Sequence, residues 1–138
     1  MDATFLADTS AWARCSLEPV EAVWIERVDG DMIAICSPVR LELGVSARSR
    51  SDWEMLMDEM DSMPSVTLDP PVCRRSEEVQ GLLASTGQHR GPRPMDLLIA
   101  AIAEAHDLTL LHYDRHFDLI AEVTGQPMEW LAPRGTLD

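Results

Sequence analysis

The sequence contains no lysine; all 11 of its basic side chains are arginine. That counts heavily against a phosphoacceptor signalling domain, a small parallel α/β fold whose sheet-edge aspartates need a lysine beside them. Arginine is the better bidentate partner for phosphate and carboxylate, although a GC-rich genome suffices to explain the bias. Cysteine is scarce. Cys15, Cys36 and Cys73 are odd in number, far apart and without zinc-type spacing. They read as reduced thiols packed as small apolar groups, which points to the cytoplasm. No apolar run approaches the roughly 20 residues a membrane span needs. Asp2 and Asp8 flank too short an apolar run for a leader peptide. Internal repeats, low-complexity stretches and an interdomain linker are also lacking. Positive charge is short as well. The net charge of −13 argues against a broad basic face that grips nucleic acid, but not against phosphate met through a metal ion.

What remains is a chain of 138 residues with an ordinary 46% hydrophobic content, enough for one domain spanning 1–138. Its most informative stretch is Arg93–Phe117. Pro94 suits a first helical turn. Met95, Leu98, Ile99, Ile102 and Ala103 then recur at helical spacing. Ala100, Ala101 and Ala103 leave room for a close neighbour. Leu108–Leu111 follows as a short apolar strand. Asp96 thus lies in a first helical turn, and Asp114 just past a strand.

The rest of the chain repeats this alternation. Thr4–Ala7 reads as a strand followed by Asp8-Thr9-Ser10 and a helical start at Ala11-Trp12. A helical region carries Val20, Val23, Trp24 and Val28 after a break near Ser16–Pro19. Met32–Ile35 reads as a second strand. Ser37-Pro38 opens a helix with Leu41, Leu43 and Val45, with Glu42 about one turn in. Asp52–Met63 reads as an amphipathic helix with Trp53, Leu56, Met57 and Met60 on one face. Val66–Leu68 reads as a third strand, Val72–Ser85 as a helix and Thr86–Arg93 as a basic loop. Arg115–Val123 reads as a helix, and Met128–Leu131 as a last short strand.

Strands alternating with helices imply a mainly parallel sheet covered on both faces. Right-handed crossovers bring every strand-to-helix junction to one edge. Asp8, Glu42 and Asp114 follow strands there, and Asp96 opens a helix. Each has a plainer account: Asp8 as a helix N-cap, Glu42 as a solvated acid near a helix start. Gathered together they would raise one another's pKa unless a divalent cation neutralised them. Hard oxygen donors favour Mg²⁺ or Mn²⁺ over Zn²⁺. Thr9 or Ser10 offers a hydroxyl to the same place.

Leu6–Trp12, Leu41–Gly44, Met95–Ala101 and Leu111–Phe117, with the closing Gly125-Gln126-Pro127 and Trp130, resemble the motifs of PIN-domain ribonucleases. More narrowly they resemble VapC toxins of type II toxin–antitoxin pairs. The resemblance implies a PIN-like three-layer α/β/α sandwich and a Mg²⁺-dependent endoribonuclease, held inactive by a VapB-type antitoxin. By the same resemblance, Asp8 and Asp96 match the main metal-binding acids, and Glu42 and Asp114 complete the quartet. RNA cleavage would leave a 5′-phosphate and a 3′-hydroxyl. Arg90, Arg93 and Arg115 would meet the RNA, or else pair with the abundant acids. A homodimer is implied too. An antitoxin segment would lie in a groove formed by Trp12, Trp24, Trp53 and the methionines of Asp52–Met63, unless these fill the chain's own core. One position departs from the pattern: His116 stands where many relatives carry a further Asp. It is expected to be a surface residue at a helix start, and it leaves open a catalytically weak domain that mainly binds protein. Asp118 lies too far along the helix to replace the missing acid.

Overall fold

The structure is a computed structural model and describes residues 3–138. Its strands are β1 (Phe5–Ala7), β2 (Ile33–Ala34), β3 (Thr109–His112) and β4 (Met128–Trp130). They form one sheet in the order β2-β1-β3-β4, with every pairing parallel. Leu6 sits opposite Ala34 on one side and Leu110 on the other. Helices α1 (Thr9–Trp12) and α2 (Glu18–Asp29) join β1 to β2. Between β2 and β3 come α3 (Ser37–Gly44), α4 (Arg50–Asp61), α5 (Pro70–Ala84) and α6 (Pro94–Ala105). Helix α7 (His116–Thr124) joins β3 to β4.

The sheet order decides the layers. The path from β1 to β2 runs one way across the sheet, and the later crossovers run the other way. Right-handed connections therefore put α2 on one face and α5, α6 and α7 on the opposite one. The last three helices pack against one another. The expected three-layer α/β/α sandwich is present. Its core holds Leu6, Ile33, Ile35, Ile99, Ile102, Leu110, Leu111 and Phe117, all fully buried.

Helix α6 is the most enclosed, as its small residues require. Ala100, Ala101 and Ala103 are buried, and α5 lies against it. Arg75 of α5 grips Glu104 with Nε and Nη2 at 2.7 and 3.2 Å. The buried Gln126 amide donates to the Ala100 carbonyl at 2.9 Å, tying the segment before β4 to the helix. Helix α4 is the opposite case. Met60 is buried and Leu56 and Met57 are half-buried, while Trp53 and Met55 stay exposed. Trp24 is buried and stands edge-on to the half-buried Trp12, with ring centroids 5.0 Å apart.

The expected strand Val66–Leu68 does not form. One parallel bridge joins Ile35 to Ser65, with the Ile35 N–H donating to the Pro64 carbonyl and Val66 N–H to the Ile35 carbonyl. The reason lies in β2. Ser37-Pro38 turns the chain into α3 directly after Cys36, so no strand remains for Thr67 and Leu68 to pair with. Strand β3 also runs one residue further than expected, carrying His112 into the core. Cys36 is buried, Cys15 and Cys73 are half-buried, and all three are free thiols. Burial pushes the thiols of Cys15 and Cys36 up to about 11. No helix among the described residues is long and apolar enough to cross a membrane.

Candidate active site

Asp8 and Asp114 lie at the carboxyl edge of the sheet and Asp96 at the start of α6, while Glu42 stands in the last turn of α3 and is joined to them by Thr9 and Arg93. Asp8 follows β1 directly, and its backbone N–H donates to the Leu111 carbonyl of β3 at 3.0 Å. Its side chain does cap α1, accepting from the Ala11 N–H at 3.3 Å. Capping alone does not call for a carboxylate that is only 1% exposed. The Ser10 hydroxyl donates to Asp8 Oδ1 at 2.6 Å, and its oxygen accepts from the Tyr113 N–H at 2.8 Å. Ser10 thus links the ends of β1 and β3. Asp8 has neutral donors but no cation. Burial pushes its pKa from 3.8 to about 7, and the nearby charge of Asp96 adds to the rise.

Asp96 is fully buried in the first turn of α6. Its Oδ2 accepts from the Arg93 N–H at 2.9 Å, and its Oδ1 from the Arg93 guanidinium at 3.0 Å. The same guanidinium reaches Glu42 Oε2 at 3.1 Å. Glu42 Oε1 accepts from the Thr9 hydroxyl at 2.6 Å. Arg93 therefore bridges two of the acids while its own side chain stays 57% exposed. Ion pairing accounts for it in this state.

Asp114 lies two residues past β3. Its Oδ1 accepts from the His116 N–H at 2.9 Å and lies 3.2 Å from His116 Nδ1. Its own N–H donates to Nδ1 of the buried His112 at 3.2 Å. Burial pushes the His112 pKa down, and its ring packs between Phe117 and Trp130 with centroids 5.1 and 5.0 Å away. Asp96, Asp114 and His116 each offer an atom that could bind a metal, all within 4.8 Å of one another. The described residues thus include an acidic group able to hold an ion.

Asp96 is the hub. Glu42 joins it through Arg93, Asp114 through the shared cluster, and Asp8 through the field each acid exerts on the other. Arg90 and Arg115 are exposed and make no ion pair among the described residues. Asp118 is occupied elsewhere, accepting from the Trp130 indole at 3.1 Å. His116 opens α7, as expected, but is not fully at the surface. It is half-buried and turned toward Asp114. His112 carries no distinguishing signal in the sequence, because a histidine ending an apolar run has none beyond its position.

The chain matches the PIN domain family over residues 5–123. It is 40% identical over 135 residues to ribonuclease VapC18 of Mycobacterium tuberculosis, covering 96% of this chain and 98% of that protein. Ribonuclease VapC51 of the same organism is 40% identical over 134 residues, covering 97% of each chain. Among solved structures, a DNA-bound VapBC from Salmonella typhimurium superposes with a TM-score of 0.73 at 16% identity, covering 94% of this chain and 99% of that one. VapBC2 from Rickettsia felis, bound to a promoter DNA fragment, gives 0.73 at 18% identity, with 92% and 98% coverage. These structures share the fold; the mycobacterial proteins share the sequence nearly end to end. By the family match and the sequence identity, this chain belongs to the PIN-domain family, in its VapC branch.

Proposed function

We propose that this chain is a metal-dependent endoribonuclease toxin, acting as one domain across 1–138 in the cytoplasm and neutralised by a VapB-type antitoxin. The observation that carries the reading is the buried pair Asp8 and Asp96. A carboxylate that is 1% exposed, without a cation and beside a second buried acid, is costly unless a positive charge completes it. The donor set fits a hard divalent ion, Mg²⁺ or Mn²⁺, with Asp8 and Asp96 as principal ligands and Glu42 and Asp114 as braces. When bound, such an ion supplies positive charge to a scissile phosphate and acidifies a water.

The chain's own groups do the rest. Glu42 or Asp114, the more open acids, accepts the proton of the attacking water. Ser10 and Thr9 fix Asp8 and Glu42 by hydroxyl hydrogen bonds of 2.6 Å each. Arg93 leaves its two carboxylates and turns its exposed guanidinium to the phosphate, as Arg90 and Arg115 do from the surface outside the acids. This local arginine offsets the net charge of −13, which otherwise repels RNA. The products carry a 5′-phosphate and a 3′-hydroxyl. The exposed apolar side chains of Leu41, Val45 and Met55 on and beside α3 and α4 support a covered face, either homodimer or antitoxin. The four linked acids speak for catalysis over a binding-only module. The test is cleavage of a labelled RNA in Mg²⁺ and in EDTA, with Asp96→Asn alongside. Activity in Mg²⁺ alone, lost in the variant, is expected; a fully active variant would sink the assignment.

A further inference from the structure

We propose that His116 is a nitrogen ligand of the ion that Asp96 and Asp114 help to hold, and that it tilts the site from Mg²⁺ toward Mn²⁺. The inference rests on the metal-dependent reading above. Three observations carry it. The ring nitrogen Nδ1 lies 3.2 Å from Asp114 Oδ1. Adjacent ligands of an octahedral ion with bonds of about 2.1 Å lie about 3 Å apart, so that spacing suits a shared ion as well as a hydrogen bond. The Asp96 carboxylate completes the group, every ligand atom within 4.8 Å of the others.

The third observation concerns the far edge of the ring. Gly91, in the loop before α6, lies so close that a Cβ there would meet His116 Cδ2 at 3.3 Å and Leu119 Cδ1 at 3.1 Å. The loop backbone therefore backs the imidazole on its Cδ2 edge while the Nδ1 edge faces the acids. A surface histidine needs no such support. The His116 N–H also holds Asp114 Oδ1 at 2.9 Å, so one residue positions its neighbour's carboxylate and presents its own nitrogen beside it. In the metal-bound form Nδ1 is unprotonated and Nε2 carries the proton.

The chemistry of the donor sets the consequence. Mg²⁺ strongly prefers oxygen ligands and dehydrates reluctantly. First-row transition ions accept imidazole, and Mn²⁺ is the one suited to an otherwise carboxylate site. Replacing the nitrogen by a carboxylate, as in His116→Asp, restores an all-oxygen rim.

The experiment uses the full chain and Mn²⁺ alone, without RNA. Pulsed electron paramagnetic resonance of bound Mn²⁺ is expected to show coupling to one imidazole nitrogen. The coupling is lost in His116→Asp and His116→Gln and kept in His89→Ala. By calorimetry, the Mn²⁺-to-Mg²⁺ affinity ratio falls about tenfold in His116→Asp, in the range that changes around a metal site produce. Gly91→Ala weakens the nitrogen signal by displacing the ring. Mn²⁺ bound to the unaltered chain without nitrogen coupling, or coupling that survives in His116→Gln, overturns the proposal and shows the 3.2 Å contact to be a hydrogen bond only. Asp96→Asn separates the two levels. If it abolishes Mn²⁺ binding while the nitrogen signal was absent, the donor is wrong and the site stands. If it binds Mn²⁺ undiminished, the site itself is wrong, and so is the donor.

Discussion

The candidate site has a floor and a rim, built on different physics. The floor is Asp8 and Asp96, both almost wholly buried at helix starts. The rim is Glu42, Asp114 and His116, all half-buried. Floor residues are enclosed by packing and held from several sides: the Ser10 hydroxyl and the Ala11 N–H on Asp8, and the N–H and guanidinium of Arg93 on Asp96. Rim residues are only half enclosed: Thr9 and Arg93 hold Glu42, and the N–H and ring of His116 stand against Asp114. A floor acid is costly to the fold and precisely placed; a rim acid costs little and tolerates exchange. The family resemblance varies on the rim, where His116 replaces an expected acid, and not on the floor.

The sharpest test of this contrast exchanges one acid from the floor. Asp96→Asn keeps the acceptor for the Arg93 N–H but removes the charge on which the other acids converge. Cleavage is expected to fall more than about 100-fold, beyond what outer-shell changes around a metal produce. The melting temperature in EDTA should change little. Cleavage of labelled RNA within tenfold of the unaltered chain would mean that floor and rim are interchangeable.

Within the floor the two acids also differ. Asp96 has a guanidinium; Asp8 has only hydroxyl and amide donors. Its pKa therefore rises to about 7 on folding, from the unfolded value of 3.8. A carboxyl with a raised folded pKa is neutral and harmless below the unfolded value. It costs stability progressively as pH climbs from about 4 to 7, and the cost is complete above that. The ceiling is about 4 kcal/mol. Asp8→Asn is expected to melt above the unaltered chain at pH 8 in EDTA, by several degrees at about 2–4 °C per kcal/mol, and to match it at pH 3.5. Saturating Mg²⁺ should reverse the order, since only the carboxylate gains from the ion. Thermal melts at the two pH values, with and without ion, check this. A variant less stable at pH 8 in EDTA would show Asp8 to be a plain helix cap.

How much of this was legible depends on which forces act locally. Helix α6 and the placement of Asp96 follow from Pro94, the apolar spacing and the alanines, all local signals. Asp8 was ambiguous, because the same side-chain oxygen serves a cap and an ion, and only burial separates the two uses. The missing strand at Val66–Leu68 turned on where β2 stops, which Pro38 decides from another part of the chain. The orientation of His116 was unreadable for a related reason. Its ring lies beside a loop glycine 25 positions earlier, a tertiary neighbour that no local pattern announces. In sequence Arg93 reads as a phosphate contact or an ion-pair partner; its bridge between Glu42 and Asp96 requires α3 and α6 to be neighbours.

That bridge supplies a smaller test, where floor meets rim. Arg93→Gln leaves Glu42 and Asp96 without their shared counter-charge. The guanidinium is 57% exposed, so solvent screens much of the pair, and the expected loss in EDTA is about 1 kcal/mol. Mg²⁺ should close the gap, because an ion takes over the same neutralising role. Denaturant melts in EDTA and in Mg²⁺ measure both arms, and a deficit unchanged by Mg²⁺ would place Arg93 outside the site's charge balance.

The smallest effect belongs to the outermost residue. Arg115 is exposed at the start of α7 and makes no ion pair among the described residues, so nothing in the fold depends on its charge. A phosphate contact from such a position is equally strong in ground and transition states. Its loss therefore raises KM and leaves kcat alone. One screened contact is worth about 0.5–1 kcal/mol, or roughly two- to fivefold in KM. The salt dependence of KM should flatten by about one phosphate contact. Stability should stay within about 0.5 kcal/mol of the unaltered chain. Steady-state kinetics of Arg115→Ala at two salt concentrations decide the matter. A fall in kcat at unchanged KM would move Arg115 from the substrate's path to the reacting phosphate, and the boundary of the rim would have to be redrawn to include it.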